Sequence, residues 1–471
     1  MFTEEKQMTW VPMRHAFVAS VLVAVCSGPD TSHWTRQAGA GDVIDIGSRR
    51  ELFIDRLLID KLDGLQLKLQ QPTPTTVTPN APRGHYATVI KDGALFRRYD
   101  RGGVADFDGD ARETTHYWES RDGAHWTSPQ LGLFDVGGSR QNNVIIAHTK
   151  WIAHNFSPFL DQHPNAKQQH RFKALAGVHK GGGLFAFSSA DGVHWKKLQE
   201  TPVIASRDFA FDSQNVSFWS PSEQCYVCYF RTWKTPHGNL RTISRTVSQD
   251  FLKWSKPVAT NPNRPGEHLY TSGTHPYFRA NHIYIALPTR FLPDRGSSTD
   301  ILFMTSRGGA RYDREFLQAF IRPGLDPGKW GNRSNYAALN VVPTGVEEMS
   351  LYVRERRYVL RTDGFASLHA DAQPGELTTK PFCFRGKQLE INYSTSAAGS
   401  VRIEIQDSEG RPVPGYALDE CLPLVGDSIQ RIVGWKQGSD VSPLSGKTVR
   451  LRWILTDADV FSFRFQDPLA N

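Results

Sequence analysis

The chain of 471 residues is poor in cysteine: five are scattered at Cys26, Cys225, Cys228, Cys383 and Cys421. That count and spacing exclude a disulfide framework and a zinc ribbon. The one CxxC, Cys225 and Cys228 within CYVCYF, has strand spacing that turns the two thiols to opposite faces, which argues against a redox pair. Long apolar runs are equally scarce. After residue 26 nothing approaches 18 consecutive apolar residues, so no transmembrane span is expected. Amphipathic helical periodicity of any length is missing too. Basic residues are dispersed; a net charge of +7 and no basic run make nucleic acid an improbable partner and leave a general bias toward anions. No phosphate-binding glycine loop, GxSxG elbow or HExxH is present.

What is abundant is turn and strand material: 39 glycines, 28 prolines, 27 phenylalanines and 12 tryptophans. Short strand-like runs such as HYATVI, RFKALAG, CYVCYFRTW and HIYIALP are separated by Gly, Pro, Asp and Asn, which reads as all-β. The N-terminus differs. AFVASVLVAVC, residues 16–26, follows Met13, Arg14 and His15 and is too short to span a bilayer. It resembles the core of a signal peptide, and VAVC loosely resembles a lipoprotein signal ending at Cys26. Residues 1–40 are therefore expected to be a leader or disordered, and the protein exported: secreted, periplasmic or lipoprotein-anchored.

One short turn recurs. SRDGAHW at Ser120–Trp126 returns as SADGVHW at Ser189–Trp195, as SQDFLKW at Ser248–Trp254, and more weakly as SRGGARY at Ser306–Tyr312. Each copy ends one strand and opens the next on an aromatic residue, and a second hairpin precedes each. One repeat is thus four antiparallel strands in about 60 residues, a unit that buries its faces by radial stacking. Asp-Gly at 122–123 and 191–192 supplies positive φ, Ser and Asp bond turn amides, and the aromatic residue plugs the gap between neighbouring units. The motif is scaffold. A fifth hairpin pair ends at Asp363-Gly364-Phe365 without the motif. The expected fold is a five-bladed β-propeller over 41–372, with blades at about 83–140, 141–205, 206–262, 263–330 and 331–372. ELFIDRLLID near Glu51 closes the ring or packs beneath it. Alternating runs over 373–471 are expected to form a β-sandwich.

These turns look like the SxDLxxW blade signature of five-bladed propeller glycosidases, the invertase, levanase and arabinanase group, whose invertase members also carry a C-terminal sandwich. From residue 51 onward the chain also resembles bacterial, planctomycete-type proteins named as glycosyl hydrolase family 32 N-terminal-domain-like. ELFIDRLLIDKLDG, FDSQNVSFW, LRTDGFASL and WKQGSDVSPLSGKTVRLR are among the matching stretches. The resemblance implies hydrolysis of O-glycosidic bonds. The invertase WMNDPNG-type, RDP and EC motifs are not recognisable, and Glu223-Gln224-Cys225 imitates the last only at an outer turn.

In such a ring the first strand of each blade starts at the channel mouth, and the loop between strands two and three returns there. First-strand starts bring His85, Tyr86, His154, Asn155, Asp212, Gln214, Asn215, Thr274, His275, Asn335 and Tyr336; the loops bring Arg101, Glu113, Arg231, Arg241, Arg290 and Asp300. Glycoside cleavage usually needs a carboxylic acid and a carboxylate. Asp212 is the best-placed acid, Glu113 and Asp300 its candidate partners, and Glu267 a fourth. His154, Asn155, Gln214, Asn215, Tyr270, His275 and Arg290 are expected to bind substrate, and the resemblance to anhydrogalactosidase propellers would let His154 or His275 replace a carboxylic acid as donor. DFDGDARE, residues 106–113, has alternating aspartates but not the full calcium-loop spacing, so an ordinary polar loop is read, with no cofactor and calcium the one ion considered. The alternative to hydrolysis is a propeller that binds carbohydrate without cleaving it. A monomer with a carbohydrate substrate is expected in either case.

Overall fold

A computed structural model describes residues 43–102, 112–205, 209, 211–331 and 334–468. The leader expected over 1–40, with Cys26, and the aspartates Asp106, Asp108 and Asp110 lie outside the described residues. Within them the fold is all-β: the helical elements are 3-10 turns of three or four residues, and no helix is long and apolar enough to cross a membrane.

The first sheet is His85–Asp92, Leu95–Gly102, Thr114–Ser120 and Val144–Ile146. The second is Ser157–Leu160, Phe172–Val178, Gly183–Ser189 and Lys196–Lys197, and the third Val216–Ser220, Cys225–Thr232, Thr242–Ser248 and Val258–Ala259. All pairings within these sheets are antiparallel. The fourth unit differs from expectation and divides in two: His275–Tyr277, Ala280–Ala286 and Met304–Ser306 form one small sheet, His268–Leu269, Thr289–Leu292 and Ser298–Ile301 another. The fifth sheet is Val342–Pro343, Glu348–Val353 and Arg356–Arg361, and its outer strand is Thr73–Pro74 from the N-terminal side.

Hydrogen bonds link each of these units to the next, and the fifth to the first. Arg101 Nη1 of the first donates to Asn155 Oδ1 before the second at 2.8 Å, and Asn155 Nδ2 donates to the Asp212 carbonyl before the third at 3.2 Å. Ser213 Oγ donates to the Tyr270 carbonyl in the fourth unit at 2.7 Å; Val341 N–H of the fifth donates to His275 Nε2 at 3.0 Å; and Leu339 N–H returns to the Ala87 carbonyl at 2.8 Å.

The repeated turn latches neighbours as its residue types require. Gly123 and Gly192 have φ of +74° and +78°, Ser120 Oγ and Ser189 Oγ accept turn amides, and Asp122 and Asp191 each accept two more. Tyr352 Oη of the fifth sheet donates to the Gly123 carbonyl at 2.7 Å, and Tyr99 Oη of the first to the Gly192 carbonyl at 3.0 Å. Trp126 is buried edge-on against Tyr352, its ring centroid 5.8 Å away. Cys225 and Cys228 are both buried, and burial pushes the Cys225 thiol up to about 11, so neither serves as a thiolate.

Gln388–Gln406 and Thr448–Gln466 run antiparallel along most of their length and carry the core of a ten-stranded sheet built on Trp453, Phe463, Phe465, Phe382 and Leu389. Of the two places expected for ELFIDRLLID, closing the ring is the one that fails: Leu52 and Ile54 pack with Tyr277, Ile283 and Leu351 of the fourth and fifth units, while the strands pair elsewhere. Glu51–Leu52 pairs with Phe463 and Ser462, Ile59–Asp63 with Gly375–Thr379, and Gln66–Leu69 with Ala366–Ala370. The strand that completes the fifth sheet is Thr73–Pro74. Asp363 lies in the turn after Arg361, as expected, at φ +65°, and is a buried junction as well: its carboxylate accepts from Tyr277 Oη at 2.6 Å, Arg279 at 2.8 Å and Ser462 Oγ at 2.6 Å.

Candidate functional site

Tyr86, Tyr270 and Tyr336 converge from the first, fourth and fifth units. Tyr336 lies 5.6 Å from Tyr86 and 5.5 Å from Tyr270, ring centroid to ring centroid, and Phe291 backs Tyr270 at 5.8 Å. Three guanidinium groups lie over these rings: Arg101 on Tyr86 at 5.5 Å, and Arg231 and Arg241 on Tyr270 at 4.8 and 5.0 Å. Tyr86 holds φ of +48°, a left-handed conformation uncommon for a large side chain. Its phenol is pushed well above the ordinary tyrosine range by burial, with Tyr270 adding to the rise, so it stays protonated.

Asp212 is the carboxylate beside this aromatic cluster, joined to Tyr270 through Arg231. Arg231 Nη2 donates to its Oδ1, while its Oδ2 has no hydrogen bond among the described residues, and the side chain keeps 24% exposure. Burial works against the charge on Arg231, and Asp212 outweighs it and keeps the guanidinium protonated.

Glu113 lies behind, nearly fully buried. Its Oε2 accepts from His154 Nδ1 at 2.6 Å, its Oε1 accepts the Asn155 N–H at 3.1 Å, and Arg101 is 3.4 Å away. The fully buried His154 accepts at Nε2 from Asn155 Nδ2 at 3.0 Å, and that amide also bonds the Asp212 carbonyl. Glu113, His154, Asn155 and Asp212 are therefore one connected group, with Asp212 outermost.

The structure separates the other expected residues from it. Asp300 takes a two-pronged bond from Arg290, 2.9 Å to Nε and 2.5 Å to Nη2. Successive strand residues face opposite ways. Phe291 packs on Tyr270, so Arg290 and its cross-strand partner Asp300 lie on the other face, and Arg290 is paired there. Glu267 is likewise held by Arg314, at 2.5 and 3.1 Å. His275 is buried with both nitrogens bonded to backbone: Nδ1 donates to the Gly273 carbonyl at 3.0 Å and Nε2 accepts from Val341. It joins sheets, and neither nitrogen remains for a sugar. Gln214 Nε2 bonds the carbonyls of Tyr86 and Ala87 at 3.2 Å, and Asn215 Nδ2 bonds those of Phe211 and Ser213 at 3.0 Å; both hold the approach to the third sheet. Glu223 is bound by Arg245 at 2.5 Å and Tyr284 at 2.7 Å on the outer side. The partners that sequence reading passed over are Trp233 and His268, which pack against Arg241 and Phe291. Among the described residues no group of three or more His, Cys, Asp or Glu is arranged to hold a metal ion.

No family model matches the chain, and no curated protein matches it. Among solved structures it is similar to a family 43 arabinoxylan arabinofuranohydrolase from Bacillus subtilis, at 13% identity and a TM-score of 0.41 over 83% of this chain and 98% of that one. A thermostable family-43 glycoside hydrolase matches at 13% identity and a TM-score of 0.42 over 63% and 96% of the two chains. An N-acetylgalactosamine deacetylase from F. plautii matches at 12% identity and 0.42 over 82% and 95%. That set includes more than one reaction, so the reaction of this chain is argued from its own residues.

Proposed function

We propose that the five units form a closed five-bladed β-propeller, that the C-terminal strands form a β-sandwich joined by those of residues 44–69, and that the propeller mouth hydrolyses O-glycosidic bonds of an oligo- or polysaccharide. The observation that carries this reading is Asp212: a carboxylate with one oxygen clamped by Arg231, the other without a partner, facing tyrosine rings on which a sugar can stack. Asp212 is either the base that takes a proton from the water attacking the anomeric carbon or the nucleophile that attacks that carbon itself. Glu113 holds His154 by its Nδ1–H; with Nε2 freed from the Asn155 amide and protonated from solvent, the imidazolium passes that Nε2 proton to the leaving oxygen and returns to the neutral imidazole. Glu113 steadies the imidazolium before that transfer, without touching substrate. The chain acts as an exported monomer.

The complete burial of His154 favours a second reading, in which the mouth binds glycan without cleaving it. Reducing-end release and glycan binding, measured over a polysaccharide panel with the wild type and Asp212→Asn, separate the two. Hydrolysis requires product from the wild type and about a thousandfold less from the variant, with binding retained. Binding without product from either protein replaces the first reading by the second.

A further inference from the structure

Resting on the reading that this mouth is the glycan site, we propose that its ligand carries an anionic group, a uronate carboxylate or a sulfate ester, held by Arg231 and Arg241 over Tyr270. Arg231 and Arg241 both lie over the Tyr270 ring, at 4.8 and 5.0 Å, and Arg231 is buried beside Asp212. A neutral sugar needs a stacking surface and hydroxyl partners; it does not need two fixed cations, each of which costs free energy to desolvate.

Arg231 supplies the sharper observation. Its side chain is 4% exposed, its Nη2 is on Asp212, and its Nη1 has no hydrogen-bond partner among the described residues. A buried charged donor without an acceptor is expensive to leave so. An anionic oxygen on the ligand is the acceptor that satisfies it, and Tyr270 already fixes the plane of the guanidinium from which that bond would be made. The planar fork matches carboxylate and sulfate oxygens in a way lysine does not. Asp212 opposes an approaching anion, but its charge is engaged by Arg231, and the net charge of +7 over the whole chain draws polyanions toward the protein.

The test is calorimetric titration of the full chain with acidic polysaccharide fragments, each against its neutral counterpart: oligogalacturonate and alginate oligomers with their carboxyl-reduced forms, carrageenan and fucoidan oligomers with their desulfated forms. At least one acidic member should bind about tenfold or more tighter than its neutral partner. Whether the carboxylated or the sulfated member does so names the source of the charge. Arg241→Gln should lose about tenfold on the acidic member and clearly less on the neutral one, while Arg241→Lys loses less on the acidic member. Raising salt from about 50 to about 300 mM should weaken the acidic complex alone. Thermal melts of both variants establish that the fold is retained. Equal affinity for acidic and neutral members overturns this inference and leaves the glycan site standing. Binding of no fragment, or binding that Tyr270→Ala leaves unchanged in a folded protein, overturns the glycan site and the inference with it.

Discussion

His275 makes the fold sensitive to acid. Its imidazole sits at the join of the fourth and fifth units, with Nδ1–H on the Gly273 carbonyl and Nε2 facing the Val341 N–H. A second proton can go only on Nε2, where a donor already points. Burial, outweighing the Gly273 bond, lowers the group from its ordinary 6.5 to about 4. The unfolded chain therefore takes up this proton near pH 6.5 and the folded one only near pH 4. Stability from this residue is fully present above 6.5 and is lost as the pH falls toward 4. At about 1.4 kcal/mol per pH unit, the loss amounts to about 3 kcal/mol. His275→Gln keeps an acceptor near Val341 and removes the titration. Guanidinium chloride unfolding of both proteins at steps from about pH 7.5 to about pH 4.5 reads the effect directly. The variant should be the less stable protein at neutral pH, and the two stability curves should converge as acid is added, because carboxylates contribute alike to both. Parallel curves through that window would refute the assignment of His275 as a locked neutral histidine.

Glu51, bonded to His282 at 3.1 Å and Arg307 at 2.8 Å, is the opposite kind of group: burial pushes it up, but Arg307 and His282 outweigh burial and hold it at about 2. Its stabilisation is present above its ordinary 4.5 and lost as pH falls toward 2, so Glu51→Gln should cost about 3 kcal/mol at pH 7 in denaturant unfolding and much less in strong acid. Gly192→Ala should cost about 2 to 3 kcal/mol by the same measurement, since φ is +78° and a new Cβ would stand 2.7 Å from Tyr99 Oη, the latch donor. Gly93→Ala shares the left-handed strain but meets nothing within 4 Å, and should cost only about 1 to 2 kcal/mol.

Local chemistry was legible in the sequence and long-range pairing was not. The recurring turn marked four units, and its glycines do hold positive φ at 123 and 192. In the third copy Phe251 takes that place at φ +67°, fully buried against Phe159 and Tyr226. Loss of that packing, about 3 to 5 kcal/mol for a phenylalanine, outweighs about 1 to 2 kcal/mol of strain, which is how the motif tolerates the departure. Partner choice is another matter. Alternation marks Glu51–Leu52 as a strand but cannot say that its partner is Phe463, more than four hundred residues away. Val144–Ile146 was likewise placed with the second blade, although it pairs back onto Thr115 and His116 of the first.

The site divides along the same line. Counting blades brought Tyr86, Arg101, Glu113, His154, Asn155, Asp212, Arg231 and Tyr336 forward, because a residue's place at a strand start or loop is set by local sequence; Tyr270 came from its own stretch, HLYTS. Choosing among carboxylates required knowing faces and partners. The turn aspartates Asp122 and Asp191 are carboxylates too, yet despite some burial their bonds to His125 and His194 and to turn amides hold them far below the range in which an acid catalyst exchanges protons. Asp300 and Glu267 are each closed by an arginine on both oxygens, and Glu113 by His154 and a backbone amide. Each is satisfied before a substrate arrives. Asp212, with one oxygen held and the other open, is oriented without being consumed, and that asymmetry is what a reacting carboxylate requires.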